Sequence, residues 1–429
     1  MSGGVDSSVA ALLMCQRGYD CTGITMRLVE KTCVNAPAGQ AEVGPAVGQP
    51  EARLPEVGPE AGPAAVGQGA ACQPESGPSE AAGAPEPDAV ADARRVCQHL
   101  GIPHHTLEMT ADFTNLVIRP FVATYLRGQT PNPCVICNQR IKFGLLWQKA
   151  QELGVGFDVF VTGHYARCQR DAAGQPALYR ASDSSKDQSY VLYTLSRDQL
   201  ARICLPLGSL TKRQVRDIAQ EHGLPVAHKA ESQDICFIPN HDYAAFVDQQ
   251  ANAAIQPGDA AAPPGNIVDR QGNVLGQHQG IHHYTIGQRK ALGIAVGQPL
   301  YVLELNAPRQ EVVVGRASEL YVASAQLKDL NLQASLPFSQ ATPVLAQYRY
   351  NSSAHPATLC IAASGQAAQV SFDRPQKAVA PGQSLVCYIG DRVVAGGQIT
   401  RTTPATAPAE APTQAFAQAP TLPPAQTSK

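Results

Sequence analysis

MSGGVDSSVA, residues 1–10, decides how the rest of the chain is read. Gly3 and Gly4 let the backbone turn and approach an anion without a side-chain clash. Across Ser2, Gly3, Gly4, Val5, Asp6, Ser7 and Ser8 successive backbone N–H groups then face one concavity, an anion-binding nest. Val9, Ala10, Leu12 and Leu13 predict the apolar face of a helix that the loop opens, and its N-terminus adds partial positive charge at the same spot. The hydroxyls of Ser2, Ser7 and Ser8 add donors. Asp6 is the odd member, because a carboxylate beside a phosphate is unfavourable unless it caps the helix or holds a cation. The loop has no lysine and is not of the Walker type. The bland alternative is a Gly-Ser turn before an ordinary core helix; a bare Gly-Gly would favour it, and the whole string SGGVDSS weighs against it. Such a loop normally follows a buried strand, so the expectation is that the chain start is truncated and a first strand is missing.

Composition sets the outer limits. With 429 residues the chain is long enough for two or three domains. Lysine and arginine number 33 against 35 acidic residues, a net charge of −2, so any nucleic-acid contact must use local basic patches. No apolar run is long enough to span a membrane. Twelve scattered cysteines do not form a disulfide framework and point to a reducing, cytoplasmic setting with a few functional thiols.

Along the chain, YDCTGITMRLV reads as a strand, DAVADARRVCQHLGI as an amphipathic helix and PHHTLEM as the next strand. Between them, residues 35–87 repeat EVGP and VGQ without an aromatic residue, and are read as a disordered insertion. DVFVTGHYA is a short buried strand and LTKRQVRDIAQEHGLPVA a helix with a glycine stop. From about residue 266 the pattern changes to short strands with turns, an antiparallel barrel or sandwich. The reading is α/β with a parallel sheet over 1–200, a small helical or mixed middle domain over 201–275, a C-terminal antiparallel β-barrel over 276–400 and a disordered tail over 401–429.

TPNPCVICNQRIKF carries the only C-x-x-C, at Cys134 and Cys137, behind a rigid Pro-Asn-Pro turn. Arg140 and Lys142 follow closely and would lower a thiol pKa. Cys236 lies in AESQDICFIPN. Alone, the C-x-x-C could be half a zinc site or a redox couple, and Cys236 a buried small hydrophobe. Lys212, Arg213, Arg216, Arg289 and Lys290 could neutralise nucleic-acid phosphates, although for each one an ordinary solvated charge is the simpler reading.

SGGVDSS resembles the loop of the PP-loop ATP pyrophosphatase superfamily, adenine nucleotide alpha hydrolase-like α/β proteins, in which Met1 matches an internal methionine. GQTPNPCVICNQRIKFG, TGHYAR, DSSKDQSYVLYTL, ESQDICFIP and HHYTIGQRKALGI resemble, in order and spacing, the bacterial tRNA-specific 2-thiouridylase family over most of residues 1–34 and 88–400. The resemblance implies the following. ATP, with Mg²⁺, sits on Ser2–Ser8, with Met26 and Gly163 closing the adenine side, and activates the C2 oxygen of a tRNA wobble uridine. Cys236 receives sulfur from a persulfide donor protein, and Cys137 resolves the persulfide. The partner is tRNA with an unmodified wobble uridine, met by Asn132, Pro133, Cys134, His164, Lys186, Asp187, Gln188, Tyr348 and Arg349. The chain acts as a monomer or weak dimer. Some members have Asp where Cys134 stands. The three thiols of Cys134, Cys137 and Cys236 could therefore instead ligate a 4Fe–4S cluster, and this choice stays open. His164 could equally be a structural histidine after a strand. Two other functions compete: an amidotransferase-type adenylating synthetase, which needs no thiols, and a non-catalytic RNA-binding or iron–sulfur protein, which would not turn over ATP.

Overall fold

The computed structural model describes residues 1–28, 89–231, 235–238, 242–254 and 263–407. The insertion expected at 35–87 lies outside the described residues, as do residues 408–429 of the expected tail.

The opening loop leads into the helix Val5–Gln16, with extended Gly4 as its N-cap. Its apolar residues Val9, Ala10 and Leu12 are buried against Leu207, Val215, Ala219 and Leu224. β1 (Gly23–Arg27) pairs in parallel with β2 (His104–Glu108), Gly23 opposite His104 and Arg27 opposite Glu108. Between them the helix Ala89–Leu100 buries Val90, Ala93, Val96 and Cys97 at helical spacing. A second parallel pair joins β3 (Phe160–Val161) to a strand at Ile203–Cys204. Between these two lies an antiparallel hairpin, β4 (Arg167–Arg170) and β5 (Pro176–Tyr179), with Ile203–Cys204 taken as β6. The helix Lys212–Glu221 begins at a reciprocal capping box of Thr211 and Gln214 and is followed by Gly223 at φ +58°.

Two helical stretches adjoin the turn that leads into Cys134. Thr110–Leu126 is helical throughout, and Pro133–Glu152 is helical with a π-helical section, Cys137–Leu145. Wide helical turns of this kind recur where function displaces the regular ladder.

The strand region divides in two. β7 (Gly265–Val268), β8 (Val274–His278), β9 (Tyr301–Asn306) and β10 (Glu311–Gly315) form a sheet in the order β8-β7-β10-β9 around Ile267, Ile281, Val302, Val312 and Val314. After the turn Ala317–Leu320 come β11 (Tyr321–Leu332), β12 (Ala341–Gln347), β13 (His355–Ile361), β14 (Ala368–Lys377), β15 (Ser384–Ile389) and β16 (Arg392–Pro404). β11 pairs with both β14 and β16, which closes a six-stranded antiparallel barrel and removes its edges. Alternate residues such as Ala357, Leu359 and Ile361 fill its interior. The expected classes, a parallel α/β region and a C-terminal barrel, are both present. Two boundaries are corrected. The barrel expected over 276–400 begins only at β11, because β8, β9 and β10 form a sheet of their own with β7. β16 runs to Pro404, with Thr403 opposite Ser324 and their hydroxyls 3.1 Å apart, so residues 401–404 belong to the barrel and not to a disordered tail. The β-branched threonines at 402 and 403 suit a strand in spite of the Pro/Ala-rich sequence that follows.

The barrel and the α/β region share one core. Val386, Tyr388 and Val393 pack with Val135, Phe143, Leu178 and Tyr190. Among the described residues no helix is long and apolar enough to cross a membrane.

Candidate active site

Ser2 to Ser8 form a tight loop closed by its own hydroxyls. The Ser2 N–H donates to Ser7 Oγ at 3.1 Å, and the Ser7 and Ser8 hydroxyls donate to the Gly4 carbonyl at 3.1 and 2.8 Å. Gly3 sits at φ +67°, and a Cβ there would collide with the Ala89 carbonyl. No side chain caps the helix Val5–Gln16, so its N-terminal N–H groups are left for an anion. Gly163, just after β3, lets that strand abut the loop: a Cβ would lie 2.6 Å from the Asp6 carbonyl carbon and 2.7 Å from Ser7 N. Met26, on β1 opposite Leu107, packs on the core formed by Met109, Phe113, Phe121, Cys137 and Phe237. The loop and its surroundings therefore suit a nucleotide phosphate.

The structure accounts for Asp6. Lys212 Nζ reaches both of its oxygens, at 2.7 and 2.9 Å, and Tyr165 Oη donates to it at 2.8 Å. The cation that holds the carboxylate is a lysine 206 residues away in the chain. Lys212 also meets Glu231 at 3.1 Å, which Lys186 and Arg216 approach at 2.7 and 3.2 Å. Burial alone would raise the Glu231 carboxyl, but hydrogen bonds from Lys186 and Lys212 outweigh it and bring its pKa down to about 2. Lys229 donates to the Gly3 carbonyl at 2.9 Å and pairs with Asp92. Lys212 and Arg216, read from sequence as candidate phosphate contacts for nucleic acid, instead brace the loop. Arg213 remains exposed on the helix surface beside Asp217.

Cys134, Cys137 and Cys236 are all free thiols; Cys137 is buried and the other two keep exposed surface. Packing around the sulfur atoms nevertheless raises all three pKa values, that of Cys236 to about 11. After burial, the charges of Cys137 and Cys134 push Cys236 up and Lys142 pulls it down, so the three thiols and one lysine form one electrostatic group. The expectation that Lys142 and Arg140 lower the thiols is corrected: Lys142 does act in that direction, burial outweighs it, and exposed Arg140 is not among the charges acting on them. Asn132 Oδ1 accepts from Val135 N at 3.3 Å and so caps the turn bearing Cys134. The barrel holds that turn from the other side, where Thr130 N donates to Pro381 O at 3.0 Å and Gln383 Nε2 to Pro131 O at 3.0 Å.

His164 is buried, its Nδ1 2.8 Å from Thr162 Oγ1 and its ring 5.9 Å from Phe143. Burial and Lys142 keep its pKa well below the usual imidazole value. The side chains of the 186–188 stretch are tied down. Lys186 pairs with Glu231, Asp187 accepts from Ala181 N, Ser189 and Arg180, and Gln188 Oε1 accepts from Tyr165 N at 2.9 Å. Tyr348 belongs to the barrel core, and Arg349 donates to the Ala378 carbonyl at 2.6 Å. Sequence reasoning missed Tyr350, which stays exposed and is influenced by Gln188, Asp187 and Cys134. It also missed Tyr165, Lys229 and Glu231. Tyr165 and Glu231 lie inside TGHYAR and ESQDICFIP, but no local pattern marks these roles, since each residue acts through a partner far away in the chain.

Residues 1–45 and 71–240 match the family described as the tRNA methyl transferase HUP domain, residues 258–316 its PRC-barrel domain and residues 322–399 the aminomethyltransferase beta-barrel domain. The chain is 40% identical over 402 residues to the tRNA-specific 2-thiouridylase MnmA of Carboxydothermus hydrogenoformans, covering 94% of this chain and 96% of that one. It is 41% identical to the protein of that name from Magnetococcus marinus (93% and 97% covered) and 42% identical to that from Moorella thermoacetica (93% and 98%). With a phosphate-type loop, a clustered thiol trio and relatives matched over nearly their whole length, the chain belongs to the tRNA-specific 2-thiouridylase family.

Proposed function

We propose that this protein uses ATP to replace the C2 oxygen of the tRNA wobble uridine with sulfur, giving 2-thiouridine, AMP and pyrophosphate. The observation that carries this reading is the meeting of the expected nucleotide and sulfur sites in one core. Met26, on β1, packs into the core that holds Cys137 and also Ile235 and Phe237, the two neighbours of Cys236, while Gly163 packs on the anion loop.

The uncapped helix N-terminus and Gly3–Gly4 bind the nucleotide phosphates, whose charge a Mg²⁺ ion would offset, and Lys212 and Tyr165 hold Asp6 out of the way. The C2 oxygen attacks the α-phosphorus and pyrophosphate leaves. The terminal sulfur of a Cys236 persulfide, supplied by a persulfide donor protein, then attacks C2, and AMP departs with the oxygen. The Cys137 thiolate attacks Cys236 Sγ. The S–S bond to the base breaks, its electron pair stays on the sulfur of the base, and a Cys137–Cys236 disulfide remains for an external dithiol to reduce. The exposed surface of Cys236 and the buried setting of Cys137 support an acceptor facing the substrate with a resolving thiol behind it. The base reaches the pocket unstacked, as anticodon-loop bases can, past the Asn132-Pro133-Cys134 turn, Lys186–Gln188 and the Tyr348–Tyr350 turn.

The presence of Cys134 in the same electrostatic group favours a second reading, since a two-thiol relay does not need it. In that reading Cys134, Cys137 and Cys236 would hold an iron–sulfur cluster, which would supply the sulfur as sulfide.

Anaerobic incubation with ATP, Mg²⁺, unmodified tRNA and a sulfur source, followed by mass spectrometry of the digested nucleosides, tests both. The relay expects no 2-thiouridine from Cys236→Ala or Cys137→Ala and retained product from Cys134→Ser. The cluster expects loss in all three variants and iron in the parent protein. Equal product from Cys236→Ala would overturn both readings.

A further inference from the structure

Away from the thiols and the anion loop, two histidines and an aspartate converge. Asp248 lies on the helix Tyr243–Ala254, and His282 and His283 lie on the single turn Ile281–His283 that follows β8. His282 Nε2 is 2.6 Å from Asp248 Oδ1, and His283 Nε2 is 3.2 Å from Asp248 Oδ2. The two imidazoles lie with centroids 4.4 Å apart. Among the described residues this is the group of three histidine, cysteine or acidic side chains whose ligating atoms all fall within 4.8 Å of one another.

We propose that Asp248, His282 and His283 bind a divalent transition-metal ion of the zinc class. Two imidazoles and one carboxylate are a set that zinc and its neighbours accept, with the remaining position left to water. Donor atoms around a tetrahedral zinc ion lie about 3.3 Å apart; the His282–Asp248 pair at 2.6 Å needs to open by less than about an ångström, the His283–Asp248 pair at 3.2 Å already has that spacing, and no pair of ligating atoms lies beyond 4.8 Å. Burial is graded in the way such a site requires. The side chain of His282 is 2% exposed and fixed, whereas those of His283 and Asp248 are 34% and 42% exposed and leave an open side for entry and for a water ligand. His282 Nδ1 is buried with no hydrogen-bond partner, so hydrogen bonding on that side does not account for the placement of the ring.

The ion would lock the helix Tyr243–Ala254 to the middle sheet. Tyr243 on the same helix already donates to the His283 carbonyl at 3.3 Å and stacks on Tyr125 at 4.8 Å. Phe246, one turn along, packs its ring 5.5 Å from that of Phe237, the neighbour of Cys236. The metal would therefore brace the wall behind the thiol and take no part in sulfur transfer itself. This proposal does not depend on the sulfur-transfer reading.

The full chain, purified with chelator and reductant, is titrated with Co²⁺ and then with Zn²⁺. The expected result is one Co²⁺ per chain with visible d–d bands, without the near-ultraviolet charge-transfer band of thiolate ligation, and displaced by Zn²⁺. Affinity should fall at least tenfold in both His283→Ala and Asp248→Asn, with circular dichroism confirming that each is folded. Thiolate-bound Co²⁺ elsewhere in the chain would carry its charge-transfer band unchanged into both variants, which separates the two kinds of site. Unaltered affinity in either folded variant, or a spectrum of thiolate type only, would overturn the proposal.

Discussion

At the scale of single residues, the Lys142 ammonium acts on five ionisable groups: Cys134, Cys137, Cys236, His164 and the Met1 amino group. It favours every thiolate and disfavours the imidazolium. Burial still leaves Cys236 at about 11, so at neutral pH that thiol is protonated and its reactivity should climb steadily as pH rises towards 11. Removing the cation raises the thiol pKa further and shrinks the thiolate fraction. Lys142→Met should therefore slow iodoacetamide labelling of Cys236 at pH 8 by about threefold and shift the whole profile to higher pH. Peptide-resolved mass spectrometry across pH 7–10 reads this directly (a range of about three decades in thiolate fraction), and a labelling rate equal to or above that of the parent would refute it. Glu231 follows the same logic with the opposite sign of charge: hydrogen bonds from Lys186 and Lys212 outweigh its burial and hold its carboxyl down at about 2.

At the scale of elements, the site depends on how closely β3 approaches the helix Val5–Gln16. Gly163 sets that distance. Its missing side chain leaves room for the Asp6 carbonyl, which a Cβ would meet at 2.6 Å. Backbone cannot rotate away as a flexible side chain can, so Gly163→Ala must push strand and loop apart. We expect a stability loss of about 1–3 kcal/mol in denaturant titration and weakened binding of a fluorescent ATP analogue. Gly156→Ala serves as the control, since a Cβ there meets nothing within 4 Å. If both substitutions behave alike, the close approach does not matter. The π-helical section Cys137–Leu145 belongs to this scale as well, because it begins at the Cys137 thiol and carries Lys142.

At the scale of the whole molecule, the barrel is a structural partner of the α/β region. Asn331 Nδ2 donates to the carbonyls of Tyr193 and Leu195 at 2.6 and 3.1 Å, and Gln333 Nε2 reaches the same two at 2.8 and 3.2 Å. Gly382 and Gln383 close on residues 129–131, immediately before the Asn132-Pro133-Cys134 turn. Loss of both amides leaves two buried carbonyls unpaired. The double variant Asn331→Ala, Gln333→Ala should lose about 1–3 kcal/mol for each carbonyl left without a donor. Calorimetry should show the loss as a lower midpoint, with the barrel melting apart from the remainder; a single transition at the parental midpoint would contradict this.

The sequence by itself determined what local chemistry decides. SGGVDSS specifies an anion loop and its helix because glycine conformational freedom, hydroxyl donors and the helix N-terminus all act within a few residues of one another. The short strands and turns from about residue 266 onward specify an antiparallel barrel or sandwich for the same reason, but that the barrel begins at residue 321 and that 265–315 form a sheet of their own was decided by strand pairing. The joining of one barrel strand to the β4–β5 hairpin, through Arg392 opposite Tyr179, was not legible, because neither segment contains information about the other. The same holds for Lys212 on Asp6, Lys229 on the Gly3 carbonyl and Tyr350 against Tyr190. Residues 401–404 read as tail from their composition, and only pairing with β11 made them a strand. Thiol pKa shows the division most directly. Nearby basic residues suggested lowering, whereas burial, a property of the folded packing alone, raised all three thiols. Desolvation and long-range ion pairs arise only when distant segments exclude water together, so tertiary structure alone decided them.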